Sequence, residues 1–184
     1  RVATSGCPGA VHLAFPTETV VGRIPVDQVS LHAEPECKTY PSMRFRGSPD
    51  AITRVARHLT GAKRPVLIVG GGANHSQARS AVLALAERIN APVVTTISGQ
   101  GIMPDQHPLA LGVIGDNGYH PHAMRAVEEA DVLLYVGCKL GSVSTVRWSL
   151  PSARPGRKLL QVDINPRILG NNYTVEDAVV GDAR

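Results

Sequence analysis

Short apolar runs alternate with amphipathic segments along most of this chain, and this alternation limits the possible fold more than any other feature of the sequence. Each run, such as Pro65–Val69, gives way to glycine or polar residues. Strands that are buried on both faces have this pattern. The segments between the runs carry apolar residues at three- and four-residue spacing, which is typical of helices that cover a sheet. The sequence therefore predicts the α/β class, with a doubly wound, mostly parallel sheet of about six strands in a Rossmann-like arrangement.

The individual elements follow from these runs and from residues that favour helix ends. Ser48 and Pro49 suit the first positions of a helix, and Gly61 is expected to end it. A second helix is predicted from about Ser76, and a third over about Pro121–Glu129. The predicted strands are Pro65–Val69, Pro92–Thr96, Leu109–Gly112, Asp131–Val136, Lys158–Asp163 and Ala178–Val180.

The first 47 residues do not share this regularity. The apolar segment Val11–Pro16 follows a Gly/Pro turn and predicts a buried strand. Residues 17–47 combine prolines with scattered charges, which is unusual inside one compact domain and common between two. We therefore predict three parts: residues 1–21 as the tail of a preceding domain, residues 22–47 as an extended linker, and residues 48–184 as the regular domain.

The charge distribution argues against nucleic-acid binding. The chain has a formal net charge of +4, and residues 1–64, with nine basic and five acidic side chains, carry all of it. Residues 65–184 hold ten of each sign, so the regular part has no basic stripe. The four Tyr, two Phe and one Trp offer few rings on which bases could stack.

The same sequence predicts a protein without a membrane span, located in the cytoplasm. Its longest apolar runs have about six residues, far fewer than a transmembrane helix needs. The first residues contain no apolar stretch of the kind that a secretion signal requires. The three cysteines, Cys7, Cys37 and Cys138, form neither a disulfide framework nor a zinc pair, which fits a reducing compartment.

Candidate binding residues follow the predicted strands, because ligands of doubly wound sheets bind beyond the carboxyl ends of the strands. Glycines allow backbone N–H groups to approach a phosphate, and the helix that follows adds partial positive charge. Asp163 is placed to accept a hydrogen bond from a ribose or an adenine. The alternative is that the glycines only make tight turns. The candidate residues are Gly70, Gly71, Gly72, Thr95, Thr96, Gly115, Asp116, Asn117, Gly118, Gly137, Lys139, Asp163 and Asp182.

Several familiar sites are excluded, and we predict neither a catalytic nor a metal-binding residue in this chain. The loop Gly70–His75 lacks the last glycine of GxGxxG, and no GxxxxGK[ST] or GxSxG motif occurs. His120 and His122 lack an obvious third metal ligand, so both are predicted to be solvated. The same prediction applies to His12, His32, His58 and His75. Cys138 is predicted to be a small buried residue rather than a nucleophile.

Taken in order, several segments resemble the thiamine-diphosphate-dependent enzymes, and the acetolactate-synthase-like group most of all. Ser5–Pro16 resembles the SGRPGPVxxxxP end of their pyrimidine-binding domain, and the rest of the chain resembles their central domain. Each segment is weak alone, but the ordered set covers the whole chain. The segments that resemble the central domain are Arg64–Gly72, Ala91–Thr96, Gly99–Pro104, His107–Gly112, Ala130–Leu134, Gln161–Pro166 and Val180–Asp182.

This resemblance implies that the chain is a fragment of a larger enzyme and has no catalytic activity alone. Full-length members bind thiamine diphosphate and Mg²⁺ between subunits, through pyrimidine- and diphosphate-binding domains that would be this chain's partners in a homo-oligomer. Their cofactor-activating glutamate would precede Arg1, and their Mg²⁺-binding GDG and NN motif would follow Arg184. Gly115–Gly118 and Asn171–Asn172 resemble that motif only superficially, because their separation is too long.

The resemblance also implies three possibilities for a ligand of the central domain. Acetolactate synthases hold FAD there in a structural role, oxalyl-CoA decarboxylases hold a CoA or ADP portion, and other members bind nothing. The candidate residues above occupy the approximate positions of the FAD contacts. Gly137–Thr145 nevertheless lacks the first Arg and both acids of the synthase segment GxRFDDRxT, and Gly115–Gly118 lacks the histidine of a GMHG-like loop. A stand-alone nucleotide-binding regulatory module remains the alternative to the whole assignment.

Overall fold

The computed structural model describes residues 2–30, 34–118 and 120–184, and it divides the chain into two compact units, residues 1–44 and 45–184. The helices are α1 Thr17–Val21, α2 Pro49–Thr60, α3 Gly71–His75, α4 Arg79–Ile89 and α5 Pro121–Glu129. The strands are β1 Pro65–Val69, β2 Val93–Thr95, β3 Ala110–Val113, β4 Val132–Val136, β5 Lys158–Asp163 and β6 Asp177–Val180. Short 3₁₀ helices lie at Val26–Gln28, Pro35–Lys38, Ile97–Gly99 and Pro166–Ile168.

The six strands of residues 45–184 form one sheet in the order β3-β2-β1-β4-β5-β6, and every neighbouring pair is parallel. The chain reverses its direction of progress between β1 and β4, as in a doubly wound fold. In this fold the crevice beyond the carboxyl ends of the strands is where ligands are expected. The predicted fold class and strand number are confirmed.

Two apolar layers, one on each face of the sheet, hold this unit together. On one face Leu67 and Val69 of β1 belong to a buried cluster with Val82 and Ala86 of α4. On the other face Ile68 belongs to a cluster with Ala123 and Val127 of α5. The strand is therefore apolar throughout because both of its faces are covered. Each fully buried aliphatic side chain of this kind stabilises the fold by about 1.5–3 kcal/mol.

The helix that follows β1 differs from the sequence prediction. Instead of one helix from about Ser76, the structure has α3, directly after the strand, and α4, which begins at Arg79. Gln77 separates the two helices because its φ of 55° lies in the left-handed region, which a helix cannot continue through. At α2, Ser48 and Pro49 occupy the predicted positions, although the Ser48 side chain makes no capping hydrogen bond.

The prediction of a buried strand at Val11–Pro16 is wrong for this chain. These residues have no strand partner, and Val11, Leu13 and Phe15 are exposed. An apolar segment forms a stable strand only when another strand pairs with it, and the described part of residues 1–44 offers no such partner. The segment predicted to lack regular structure instead contains α1 and two 3₁₀ helices. His32 lies outside the described residues.

Candidate functional site

All the predicted binding residues lie at the carboxyl edge of the sheet, each just beyond a strand or at its end. Because the strands are parallel, their carboxyl ends meet at one edge, and the strand order decides which loops become neighbours. The loops, from one side of the sheet to the other, are Gly115–Gly118 after β3, Thr95–Thr96 at β2, Gly70–Gly72 after β1, Gly137–Lys139 after β4, Asp163 at β5 and Asp182 after β6.

The glycines after β1 and β4 are packed against each other. A Cβ added to Gly70 would lie 2.4 Å from the carbonyl oxygen of Gly137, and one added to Gly72 would lie 2.8 Å from the Gly137 Cα. The N–H of Gly70 donates to the oxygen of Val136, and the N–H of Gly72 donates to the oxygen of Gly137, both at 2.9 Å. These two amides are thus engaged in closing the loops and do not remain available to a phosphate.

Asp163 and Lys139 form the charged part of the edge. Asp163 is only 8% exposed, and its Oδ1 accepts a hydrogen bond of 2.9 Å from the N–H of Asn165. Burial raises the pKa of the Asp163 carboxyl, while that Asn165 amide and the nearby Lys139 ammonium partly oppose the rise. A carboxylate has two oxygens and about four lone-pair sites, so Asp163 can accept a further hydrogen bond from a ribose or adenine donor.

Asp182 is linked to Asp163 through the backbone. The N–H of Gly181 donates to the main-chain oxygen of Asp163 at 3.0 Å, and the N–H of Asp182 donates to the oxygen of Phe45 at 2.8 Å. The Asp182 side chain accepts a hydrogen bond from the N–H of Arg184 at 3.0 Å. The ends of β5 and β6 therefore bring these two carboxyl groups to adjacent positions of the edge.

Thr95 and Thr96 take different positions at the end of β2. Side chains alternate between the faces of a strand, and Val93 belongs to the α4 cluster while Val94 belongs to the α5 cluster. Thr95 therefore points to the α4 face. Thr96 follows β2 at the carboxyl edge of the sheet, and its N–H donates to the oxygen of Val69 at 2.9 Å.

The loop after β3 is bound to the loop after β4 instead of to the β1 glycines. The N–H of Asp116 donates to the oxygen of Val143 at 2.9 Å, and its carboxylate lies 3.8 Å from Nε of Arg147. A Cβ at Gly115 would lie 2.3 Å from the Val143 oxygen. Asp116 and Asn117 are exposed.

The predicted set as a whole does not converge on one small molecule. Asn117 follows the strand at one side of the sheet and Asp182 follows the strand at the other. Five inter-strand spacings of about 4.8 Å separate these two strands by about 24 Å. Only an extended ligand, of the length of a dinucleotide or coenzyme A, can touch both ends of the set.

A cavity of about 750 Å³ lies beside the edge strand β3, and most of its lining was not predicted from the sequence. Its volume is in the range typical of small-molecule sites, roughly 300–1,000 Å³. Thr95 is the one candidate binding residue that lines it. The polar and charged side chains of its wall are Arg79, Thr95, Gln100, Asp105, His120 and His122. The sequence signal that was available is His122, which follows Pro121 at the start of a predicted helix.

Two histidines that were predicted to be solvated have specific partners. His120 is exposed, as predicted, but its Nδ1 also accepts a hydrogen bond of 2.8 Å from the N–H of Val113 of the edge strand. Nε2 of His58 lies 3.1 Å from Oδ2 of Asp177, and its Nδ1 lies 3.1 Å from Nζ of Lys158, so the prediction for His58 is wrong. His12 is exposed, as predicted.

Cys138 is a buried side chain at the end of β4, 4% exposed. Burial raises the pKa of its thiol to about 11. A thiol of this kind is almost entirely protonated at neutral pH, and the protonated form is a poor nucleophile. The prediction that Cys138 is a buried structural residue is confirmed.

No helix within residues 2–30, 34–118 and 120–184 is long and apolar enough to cross a membrane. Within the same ranges, no group of three or more His, Cys, Asp or Glu side chains is arranged to hold a metal ion.

Comparison with known proteins places this sheet and its edge in a family. Residues 52–184 match the family model described as "Thiamine pyrophosphate enzyme, central domain". The chain is 36% identical, over all of its length, to the "Probable acetolactate synthase large subunit" of Methanocaldococcus jannaschii, of which it covers 30%. It is 30% identical to "2-hydroxyacyl-CoA lyase 1" of Mus musculus, where 99% of the chain covers 29% of that protein. The chain thus spans about a third of the length of such relatives.

A solved structure shows the same fold. It is the X-ray structure of a protein described as a thiamin diphosphate-dependent enzyme, isolated from Mycobacterium smegmatis. The TM-score is 0.67 at 23% sequence identity, and the match covers 99% of this chain and 33% of the other.

Proposed function

The chain belongs to the family of thiamine pyrophosphate enzyme central domains, and on that premise we propose that it serves a thiamine-diphosphate- and Mg²⁺-dependent lyase or transferase that acts on 2-oxo acids. The acetolactate-synthase-like group is the one proposed. The observation that carries this is the similarity to acetolactate synthases over the full length of the chain. When bound, thiamine diphosphate supplies the carbanion chemistry by which a 2-oxo acid loses CO₂.

In this proposal the chain contributes a scaffold and a binding edge, and other domains contribute the chemistry. Thiamine diphosphate and Mg²⁺ would be held by pyrimidine- and diphosphate-binding domains of a homo-oligomeric parent in the cytoplasm. Unpaired cysteines, one of them exposed, are consistent with that reducing compartment. The chain alone is then inactive.

The parent's activity is tested directly. The natural protein that contains this chain should convert pyruvate with release of CO₂, in a reaction that requires both thiamine diphosphate and Mg²⁺. The 184-residue chain under the same conditions should give no turnover. A parent that is inactive on a panel of 2-oxo acids would exclude the proposed reaction class.

For the carboxyl edge we propose an extended nucleotide, either FAD or a CoA-type ligand with an ADP portion. Several groups of the edge fit the parts of such a molecule. The Asp163 carboxylate fits a ribose hydroxyl, the Lys139 ammonium fits a phosphate, and the Gly71 N–H fits a phosphate oxygen. The spread of the predicted residues over the whole edge favours a long ligand over ADP alone.

A thermal-shift screen with FAD, CoA, ADP and NAD tests this site, because a ligand that binds only the folded state raises the midpoint. We expect FAD or CoA to raise it and NAD to have no effect. Lys139→Gln should weaken binding several-fold, because a charge-assisted contact to phosphate is lost. Lys63→Gln, an exposed lysine before β1, is the control and should not change the affinity. No shift with any of the four would overturn the nucleotide proposal.

The alternative is a stand-alone nucleotide-binding regulatory module. Such a module would bind its nucleotide at the same carboxyl edge of the sheet. It would differ from the first proposal in the coding sequence on either side of this chain. The coding sequence on both sides of this chain separates the two, since an enzyme requires the two cofactor-binding domains in the same reading frame.

A further inference from the structure

The cavity beside β3 contains a buried hydroxyl group that the fold leaves without a partner. Thr95 is 8% exposed and lines the cavity, and its Oγ1 has no hydrogen-bond partner among the described residues. Every fully enclosed side-chain nitrogen or oxygen of those residues does have a partner. The Thr95 hydroxyl must therefore reach open space, and its position on the α4 face directs it to this cavity. Such a hydroxyl can donate a hydrogen bond to a ligand that enters the cavity.

The charges around the cavity favour an anion. Arg79 has no ion-pair partner among the described residues, and it stands at the first position of the 11-residue helix α4. His122 stands near the start of α5, and it is stacked on His120 at 5.6 Å between ring centroids. Helix N-termini carry partial positive charge, so both helices add to the potential at the wall. The one acidic side chain of the wall, Asp105, is exposed.

His120 presents a donor to the same space. Its Nδ1 accepts the N–H of Val113, so the proton of the neutral ring is on Nε2. Gly112 is required beside it, because a Cβ there would lie 2.2 Å from that Nδ1, and the φ of Gly112 is 89°. The ring is thus fixed in place by the edge strand.

The remaining walls are apolar and well supported. Val93, Met103 and Val113 line the cavity and are at least nine-tenths buried. The neighbouring loop is held by Asn74, whose Nδ2 donates to the oxygens of Ser98 at 3.0 Å and Gln100 at 2.9 Å. Apolar walls with a small number of polar groups are the usual composition of a small-molecule site.

We infer that this cavity binds a small organic carboxylate. The carboxylate group lies toward Arg79 and His122, the Thr95 hydroxyl donates to it, and the apolar body packs on Val93 and Met103. The site is separate from the nucleotide proposed for the carboxyl edge, because it lies beside the edge strand β3 and uses different charged side chains.

The test uses the whole 184-residue chain, labelled with ¹⁵N, and three probes. Butyrate is a carboxylate with an apolar body, butyramide is its neutral analogue, and inorganic phosphate is an anion without an apolar body. We expect butyrate to shift the amide signals of Thr95 and Val113 saturably, and the other two probes to bind more weakly. Equal binding of butyramide, equal or tighter binding of phosphate, or no saturable shift with butyrate would each overturn the inference.

Variants confirm the location. Arg79→Gln should weaken butyrate binding about tenfold, because the lost contact is charge-assisted. Arg88→Gln, an exposed arginine in the last turn of the same helix, is the matched control and should leave the affinity unchanged. Thr95→Val, which keeps the shape and removes the hydroxyl, should weaken binding about three- to tenfold. An Arg79→Gln variant that is folded by its spectrum and binds as well as Arg88→Gln would contradict the assignment.

Discussion

Gly137 is the residue whose backbone position most constrains the carboxyl edge. Its φ is 57°, and a Cβ there would lie 2.4 Å from the backbone nitrogen of Ala73. A backbone atom cannot move aside as the end of a flexible side chain can. Gly137→Ala therefore combines an unfavourable backbone conformation with a clash, and we expect it to lower the free energy of unfolding by more than about 2 kcal/mol. Urea denaturation measures this difference.

Gly141→Ala is the matched control in the same loop region. A Cβ at Gly141 would have no heavy atom within 4 Å, and its φ is not positive. The substitution should change the free energy of unfolding by less than about 0.5 kcal/mol in either direction. If both variants had the same stability as the unsubstituted 184-residue chain, the close packing of the β1 and β4 loops would be disproved.

Cys138 and Cys7 should differ strongly in reactivity. Cys7 is exposed, whereas Cys138 is buried with a thiol pKa of about 11. Because the thiolate is the reactive form, iodoacetamide at about pH 8 should modify Cys7 at least about a hundred times faster than Cys138 in the folded chain. Mass spectrometry of timed samples gives both rates. In urea the two rates should become similar, and similar rates without urea would refute the buried position of Cys138.

At the scale of elements, a network of polar and charged side chains joins α2 to the amino ends of β5 and β6. Nε of Arg54 donates to Oδ1 of Asp177 at 2.8 Å, and His58 lies between Asp177 and Lys158. The hydrogen bond from Arg54 lowers the pKa of the Asp177 carboxyl below its ordinary value, and His58 adds to this effect. None of these residues lies at the carboxyl edge, so the network serves packing of the helix.

This lowered pKa gives a pH dependence with a definite sign. A carboxyl group whose pKa is lower in the folded than in the unfolded state stabilises the fold above the unfolded value, about 3.9, and loses that effect as the pH falls. The Asp177→Asn variant should therefore be less stable than the unsubstituted 184-residue chain at about pH 6. This difference in stability should shrink toward about pH 3. Urea midpoints of both proteins at several pH values measure it.

Asp105→Asn is the control for this series. Asp105 is exposed and has no ion-pair partner among the described residues, so its substitution should give a small difference with little pH dependence. A difference for Asp177→Asn that stayed constant from about pH 6 to about pH 3 would show that the carboxylate charge contributes nothing.

The elements of the sheet were predictable because their residues carry a local signal. The predicted bounds of β1, β5 and α5 agree with the structure, since a continuous apolar run or a proline at a helix start depends on neighbours in the sequence. The break between α3 and α4 was not predictable in this way. It depends on the left-handed backbone conformation of Gln77. It also depends on the packing of Gly72 against Gly137, two glycines that are distant in sequence.

The candidate site was predictable in part for the same reason. The strand ends could be located, and parallel strands bring their ends together, so the residues of the edge follow from the sequence. Which glycine amides are engaged could not be read from it, because the Gly72–Gly137 hydrogen bond crosses two loops. The cavity beside β3 was missed because it combines Arg79, Thr95 and His122 from three separate elements, and none of them forms a motif with its sequence neighbours.

At the scale of the whole molecule, the two units of the chain differ in what they bury. Every residue of the two hydrophobic clusters lies between Ala51 and Ala183. In the described part of residues 1–44, Ser42 is the one buried residue, while apolar side chains such as Phe15 and Val26 are exposed. Residues 1–44 therefore add little hydrophobic stabilisation to the sheet.

A truncated chain of residues 45–184 tests this difference, and we expect it to fold with the sheet intact. Its free energy of unfolding should be within about 1 kcal/mol of the full chain, because the removed residues take no part in either apolar cluster. Its urea m-value should fall only slightly, since m follows the surface that unfolding exposes. Truncation before Pro65, which removes α2 with its buried Val55 and Leu59, is the comparison that should destabilise the sheet by several kcal/mol. If the 45–184 chain were unfolded while the full chain was folded, the stability of the sheet would depend on residues 1–44, contrary to the burial described above.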